Sequence, residues 1–144
     1  MYYLCRFALS IRSRHTKYCG RDWFWCSARS AQKWDFQAAE AHAVELAEQS
    51  KVRLENYPNC RLFNSPQPSS VVCFVFDGIA ASDLATLLSE QKIALRVGEH
   101  CAQPYLARLG ERTTLRLSFA PYNSPQDVEA FFAALDKSLE LLTC

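Results

Sequence analysis

The clearest pattern of hydrophobic and polar positions lies at the C-terminal end of the chain. SPQD at 124–127 supplies an N-cap, a first-turn proline and an acid three residues on. The apolar residues that follow at helical spacing are Val128, Phe131, Phe132, Leu135, Leu139 and Leu142. A second amphipathic stripe begins at Asp35, a possible N-cap, and reaches Tyr57 before Pro58. Both segments are predicted to be helices.

Between these helices lie segments with the character of strands. VVCFVF at 71–76 is continuously apolar, which predicts a strand covered on both faces. Residues 93–97 form a second apolar run, and a short strand is predicted at 61–63. Residues 115–119 alternate, so that their leucines face the core while Arg116 faces the other way.

Two shorter helices complete the predicted order of elements. Ser82 caps one of them, and Pro104 fits the first turn of the other, which ends near Gly110. From Trp34 onward the order is helix, strand, strand, helix, strand, short helix, strand, helix. This order predicts an α+β domain, a two-layer sandwich with a small sheet.

The first 33 residues show no such pattern. They carry seven lysines and arginines against the single Asp22, a charge near +6, so the rest is near −5 of the net +1. Transit peptides are similarly rich in arginine and poor in acids, but cysteine and tryptophan at this density suit one poorly. We therefore interpret 1–33 as a basic leader, poorly ordered or from an aberrant reading frame, and 34–144 as the folded domain.

Composition excludes several classes of function. A net charge of +1 argues against a dedicated nucleic-acid binder, and no apolar run approaches the roughly 18 residues of a membrane span. The seven cysteines are irregularly spaced and contain no C-x-x-C pair, which fits neither a disulfide framework nor a zinc site. The sequence predicts a cytoplasmic protein without a bound metal.

The candidate chemistry lies in ALRVGEHCAQP at 94–104. Cys101 follows Gly98, sits beside His100, and precedes a short helix whose N–H groups could stabilise a thiolate. Free cysteine also packs as a small hydrophobe, and Cys73 inside the strand is interpreted as core in that way. The spacing alone leaves Cys101 open between a nucleophile and an inert thiol.

Two neighbours of this cysteine have equally open roles. Arg116 occupies a position that is usually solvated, but it follows the Cys101 loop and its guanidinium could bind a carboxylate through two hydrogen bonds. His100 has no second ligand at suitable spacing, which favours a local hydrogen bond over a metal ligand.

These residues resemble a known family. RVGEHCAQPYLARLG, followed by LRLSFAPYNSPQDVEAFFAALDKSLELL, is similar to the C-terminal part of a cysteine desulfurase of the pyridoxal-phosphate-dependent class V aminotransferases, in the branch with selenocysteine lyases. The family pattern has an Arg-x-Gly-x-His-Cys-x-x-Pro loop, an Arg-x-Ser strand and a Tyr-Asn-Thr/Ser helix start. The matching residues are Arg96, Gly98, His100, Cys101, Pro104, Arg116, Ser118, Tyr122, Asn123 and Ser124. The resemblance covers about 34–142 and implies the C-terminal small domain of a fold-type I enzyme, with its helices on one face of the sheet.

The resemblance implies sulfur transfer. In this family a loop thiolate attacks the sulfur of L-cysteine held on pyridoxal 5'-phosphate, giving alanine and an enzyme persulfide that feeds iron–sulfur cluster assembly. Cys101 matches the thiolate, and Arg116, Arg96 and His100 match the substrate-binding residues. The family also implies a homodimer and a sulfur-acceptor protein. Glu99, where such proteins more often carry a neutral residue or histidine, is a departure from the pattern.

A larger departure concerns the cofactor. The cofactor lysine of this family follows a histidine in a large domain, whereas no lysine of this chain does; they are Lys17, Lys33, Lys51, Lys92 and Lys137. We therefore expect a truncated small domain, inactive alone, without the cofactor lysine or phosphate site. The alternative is a cofactor-free carrier that takes persulfide on Cys101 and passes it to a partner. A nucleic-acid module using the basic leader ranks last.

Overall fold

The computed structural model describes residues 35–63 and 65–143, and the leader at 1–33 lies outside them. The elements are α1 (Phe36–Leu54), β1 (Cys60–Leu62), β2 (Val71–Phe76), α2 (Ala81–Glu90), β3 (Arg96–Gly98), α3 (Gln103–Arg108), β4 (Thr114–Ser118) and α4 (Pro125–Thr143). Their order is the order that the hydrophobic pattern predicts, from the first helix to the last.

The four strands form one antiparallel sheet in the order β1-β2-β4-β3. The two central strands are therefore not consecutive in the chain, and α2, β3 and α3 all lie between them in sequence. In the register of the sheet, Arg116 is opposite Cys73 on β2 and opposite Arg96 on β3. The fold thus sets these three residues in one row across the sheet.

The core lies between one face of this sheet and the three long helices. The strands contribute the alternate residues Val72, Phe74, Phe76, Leu115 and Leu117. The helices contribute Leu46, Ala47, Leu54, Leu84, Leu88, Val128, Phe131, Phe132, Ala134 and Leu135. Because α1, α2 and α4 all pack on this face, the described part of the chain is the predicted two-layer α+β sandwich with its helices on one side.

The other side of the sheet, which we call the open face, carries Cys73 and Arg116. The prediction that β2 is covered on both faces is wrong in part, since Val71 and Cys73 are only half-buried there. The physical reason is that the three long helices all lie on the opposite face. An uninterrupted apolar run therefore did not distinguish a strand buried on both sides from one buried mainly on one side.

Two helix boundaries differ from the predicted ones. Helix α1 ends at Leu54, and the chain continues through a turn in which the Tyr57 N–H donates to the Leu54 carbonyl at 3.1 Å. Ser82 does not cap α2, because the helix already begins at Ala81 and the Ser82 hydroxyl donates to Asp83 instead. Turn bonds of this kind extend a periodic pattern past the end of the helix itself.

The N-terminus of α4 is closed by Asp127. Its carboxylate accepts hydrogen bonds from the backbone N–H of Ser124 at 2.9 Å and from the Asn123 amide at 3.4 Å. The Ser124 hydrogen bond is the main reason that the pKa of the Asp127 carboxyl lies below its ordinary value. The arrangement is the reciprocal half of a capping box, so the ionised carboxylate stabilises the folded state.

Replacing Asp127 with alanine is expected to lower the free energy of unfolding by about 1 kcal/mol at neutral pH, the usual cost of a lost cap. A carboxyl with a folded-state pKa below its unfolded value adds stability above the unfolded pKa and loses it as the pH falls through the folded pKa. The difference between Asp127→Ala and the native chain should therefore shrink below about pH 4. Urea unfolding at several pH values measures this difference in the free energy of unfolding. An undiminished difference at acid pH would contradict this role.

Candidate functional site

The candidate nucleophile lies at the tip of the loop between β3 and α3. Strand β3 ends at Gly98, which has φ 139°, and His100 and Cys101 follow with φ values of 51° and 58°. The turn is closed by a hydrogen bond of 2.8 Å from the Ala102 N–H to the Glu99 carbonyl. Cys101 is exposed at this tip. The glycine suits a φ that residues with a Cβ rarely adopt, so it lets the chain leave the strand and reverse direction.

Cys101 is also the most accessible thiol in the described part of the chain. Cys60 and Cys73 are free but half-buried. Burial raises the pKa of Cys60 to about 11, and it raises the pKa of Cys73 despite the nearby charge of Arg116. The interpretation of Cys73 as core is wrong, because its side chain lies on the open face. Of the three described thiols, the exposed one is therefore the best placed to meet another molecule.

His100 connects this loop to the sheet. Its Nε2 lies 3.1 Å from the carbonyl oxygen of Thr114, the first residue of β4, and Thr114 is only 1% exposed. This is a local hydrogen bond of the kind that the sequence favours for His100. Among residues 35–63 and 65–143, no group of three His, Cys, Asp or Glu side chains could hold a metal ion.

Arg116 presents a guanidinium that has no counter-ion among the described residues. It is half-buried at the centre of β4, and it takes part in none of the ion pairs of the described residues. Its Nε is buried and has no hydrogen-bond acceptor in residues 35–63 and 65–143. Arg96, directly opposite on β3, is exposed. Like charges that face each other across a sheet repel, so an anion bound near the pair would stabilise both.

Glu99 connects the loop to the start of α3 by a side-chain hydrogen bond. Its carboxylate accepts a hydrogen bond from the side-chain amide of Gln103, at the start of α3. The sequence marks Glu99 as a departure from a family pattern and does not indicate Gln103. A glutamate four residues before an amide donor was the available signal.

Sequence reasoning also missed Thr114, for a physical reason. Its contribution is a backbone carbonyl rather than a side chain, so its residue type carries no signal. The contact depends on the pairing of Gly98 with Thr114, which sets the start of β4 beside the end of β3. Of the predicted site residues, the fold sets Arg96 opposite Arg116 and joins His100 to β4, with Cys101 next to His100 in the same loop.

The sequence and the two-layer sandwich match a known class of proteins. The aminotransferase class-V family model matches residues 25–131, and the chain belongs to that family. The resemblance that the loop and strand motifs indicate is thereby confirmed, and members of this family in general depend on pyridoxal phosphate.

Curated relatives of this chain are cysteine desulfurases. It is 80% identical over 111 residues to a probable cysteine desulfurase of Haemophilus influenzae, covering 77% of this chain and 25% of the relative. It is 49% identical over 109 residues to the cysteine desulfurase CsdA of Escherichia coli, covering 76% of this chain and 27% of that protein. The chain thus spans about a quarter of the length of these relatives.

Solved structures support the same fold. The crystal structure of Escherichia coli CsdA, in an S-sulfonic acid form, superposes with a TM-score of 0.75 at 45% identity, over 78% of this chain and 28% of that one. An apo cysteine desulfurase from Thermococcus onnurineus gives a TM-score of 0.72 at 26% identity, again over 78% of this chain and 28% of the other.

In the described part of this chain, no helix is long and apolar enough to cross a membrane.

Proposed function

We propose that this chain is the sulfur-accepting small domain of a cysteine desulfurase. The observation that carries the proposal is the free, exposed Cys101 on a loop that is hydrogen-bonded to the strand bearing Arg116. Cysteine supplies a soft nucleophile, and arginine supplies a planar cation that matches a carboxylate. The naming of the relatives as cysteine desulfurases supports the same reaction.

In the proposed reaction, the Cys101 sulfur forms a bond to the sulfur of L-cysteine. The bond between that sulfur and the substrate β-carbon breaks, its electron pair goes to the carbon, and the carbon takes up a proton to become alanine. One thiol and one L-cysteine thus give one persulfide and one alanine. Arg116 holds the substrate carboxylate, and the unpaired Nε and the absence of an ion pair in the described residues support this role.

The described residues do not fit the pyridoxal phosphate of the family. Their lysines are Lys51 in α1, Lys137 in α4 and Lys92 in the turn after α2. Lys51 is buried and pairs with Glu48 at 2.6 Å. We propose that the cofactor lysine and the phosphate site belong to a separate large domain and that this chain is inactive without it.

A second function is favoured by the exposure of Cys101. A thiol at the tip of a loop can receive the outer sulfur of another molecule's persulfide, displacing a thiolate, and then pass it on. The domain would then act as a cofactor-free sulfur carrier. We further propose a cytoplasmic setting, a sulfur-acceptor protein in iron–sulfur cluster assembly, and a homodimer for the full-length protein.

The decisive experiment grafts this domain onto a complete relative. The Haemophilus influenzae desulfurase, 80% identical over the shared segment, would carry residues 34–142 of this chain in place of its own. We expect the chimera to bind pyridoxal phosphate and to release alanine from L-cysteine. The native 144-residue chain, given the same reagents, is expected to show no cofactor absorbance and no alanine release.

Cys101→Ala in the chimera is the matched control. It is expected to keep the cofactor absorbance and to lose alanine release, by at least roughly a hundredfold, because the nucleophile is gone. Alanine release by the isolated chain that depends on Cys101 would overturn the proposed incompleteness. A chimera that binds cofactor but releases no alanine with Cys101 intact would overturn the proposed reaction.

A further inference from the structure

We propose that His100 is a positioning residue, which fixes the backbone of Cys101 by anchoring the loop to β4, and that it does not exchange a proton with the thiol. The proposal rests on the proposed function only in naming Cys101 as the nucleophile. Its structural part concerns this chain alone and can be tested without any catalytic activity.

The first observation is backbone strain at the nucleophile. His100 and Cys101 both have left-handed φ values, 51° and 58°, and neither is a glycine. Two such residues in succession are unfavourable for side chains with a Cβ, and they persist only where neighbouring contacts hold them. The Cys101 conformation therefore requires a contact that compensates for the strain.

The hydrogen bond from the Ala102 N–H to the Glu99 carbonyl closes this turn locally, and the imidazole supplies the contact that holds the turn against the sheet. Its Nε2 lies 3.1 Å from the Thr114 carbonyl oxygen, and no other side-chain hydrogen bond of the described residues joins 99–102 to the sheet. The Thr114 end is rigid, because this residue is 1% exposed and is paired with Gly98. The hydrogen bonds of Ala102 and Gln103 close the loop on itself through Glu99 but do not join it to β4.

The assignment of the ring proton follows from the same contact. A carbonyl oxygen only accepts, so Nε2 must carry a hydrogen and donate it. The other nitrogen, Nδ1, is buried and has no hydrogen-bond partner in the described part of the chain. No hydrogen bond joins the imidazole to the Cys101 sulfur there either. One nitrogen thus serves the anchor, and the other lacks the contact that a general base needs.

The structural test is nuclear magnetic resonance on the full chain. The ring ¹⁵N shifts of His100 should show the tautomer with its proton on Nε2, and the coupling of the Cys101 amide and α protons should report a positive φ. In His100→Leu, which has no donor, the positive-φ signature at Cys101 should disappear. In His100→Gln, whose side-chain amide can donate to the same carbonyl, it should be retained.

His42→Leu is the matched control. His42 also makes a hydrogen bond from Nε2 to a backbone carbonyl, that of Asn123 at 2.8 Å, but at the start of α4. Its loss should leave the Cys101 signals unchanged. A proton on Nδ1 in the native chain, or a positive φ at Cys101 that survives in His100→Leu, would overturn the proposal.

The functional test uses the chimera described above. His100→Leu should lower alanine release at saturating L-cysteine by roughly tenfold or more while the KM for L-cysteine stays unchanged, since a misplaced nucleophile slows the reaction. His100→Gln should restore most of the rate. Equal losses in both variants would contradict a positioning role. If the chimera with native His100 is itself inactive, the proposed function fails, while the resonance experiments still decide the role of His100.

Discussion

Cys101→Ser is expected to remove most of the sulfur taken up by the three described thiols, Cys60, Cys73 and Cys101, when the chain is exposed to a small persulfide such as glutathione persulfide. The thiolate forms a bond to the outer sulfur of the donor, and glutathione leaves as its thiolate. Cys101 is exposed, whereas burial raises the pKa of Cys60 from 9.0 to about 11. Such a shift reduces the thiolate fraction at neutral pH by about a hundredfold. The initial rate of uptake summed over the peptides that contain Cys60, Cys73 and Cys101 should therefore fall at least roughly tenfold in the serine variant.

Mass spectrometry of peptides measures this uptake thiol by thiol. In the native chain, the mass of one added sulfur atom should appear first on the peptide that contains Cys101. Cys60→Ser is the matched control, because it removes an equally free but half-buried thiol and should leave the initial rate unchanged. An undiminished summed rate in Cys101→Ser, with the sulfur now on Cys60 or Cys73, would contradict the role of this loop.

The order of the elements could be predicted because local patterns determine it. The stripe from Val128 to Leu142 and the apolar run at 71–76 each correspond to one helix or strand of the structure. What local patterns did not reveal depends on neighbours distant in sequence. The half-buried state of Cys73 follows from the packing of three helices on the opposite face, which no property of residues 71–76 encodes.

The sequence could predict those parts of the site that depend on the identity of a side chain. The glycine before the loop, the cysteine beside a histidine and the arginine on the next strand are visible in the sequence and carry the family resemblance. The row of Cys73, Arg116 and Arg96 was not visible, because it depends on β4 inserting between β2 and β3. The contact of His100 with a carbonyl of β4 depends on the same strand order.

Phe132→Ala is expected to have the largest effect on stability among single substitutions in the helical layer. The Phe132 ring is 2% exposed, lies 4.9 Å from the Phe131 ring between centroids, and has the Arg53 guanidinium carbon 3.9 Å from its centroid. It also stacks on Tyr57 at 6.3 Å. Removal of the ring loses buried apolar area and leaves a cavity, which costs about 3–5 kcal/mol for a phenylalanine in a core.

Small domains have only about 5–15 kcal/mol of stability in total, so this loss would take a large share of it. Leu141→Ala on the same helix is the matched control, since Leu141 is 62% exposed and its loss should change stability by less than about 0.5 kcal/mol. Urea unfolding measures the free energy of unfolding of both variants, and the comparison requires that their m-values equal that of the native chain. A cost below about 1 kcal/mol for Phe132→Ala would mean that the ring can be replaced by rearrangement of its neighbours. A cost of about 3–5 kcal/mol would show that the contacts of this ring with Phe131, Tyr57 and Arg53 cannot be replaced.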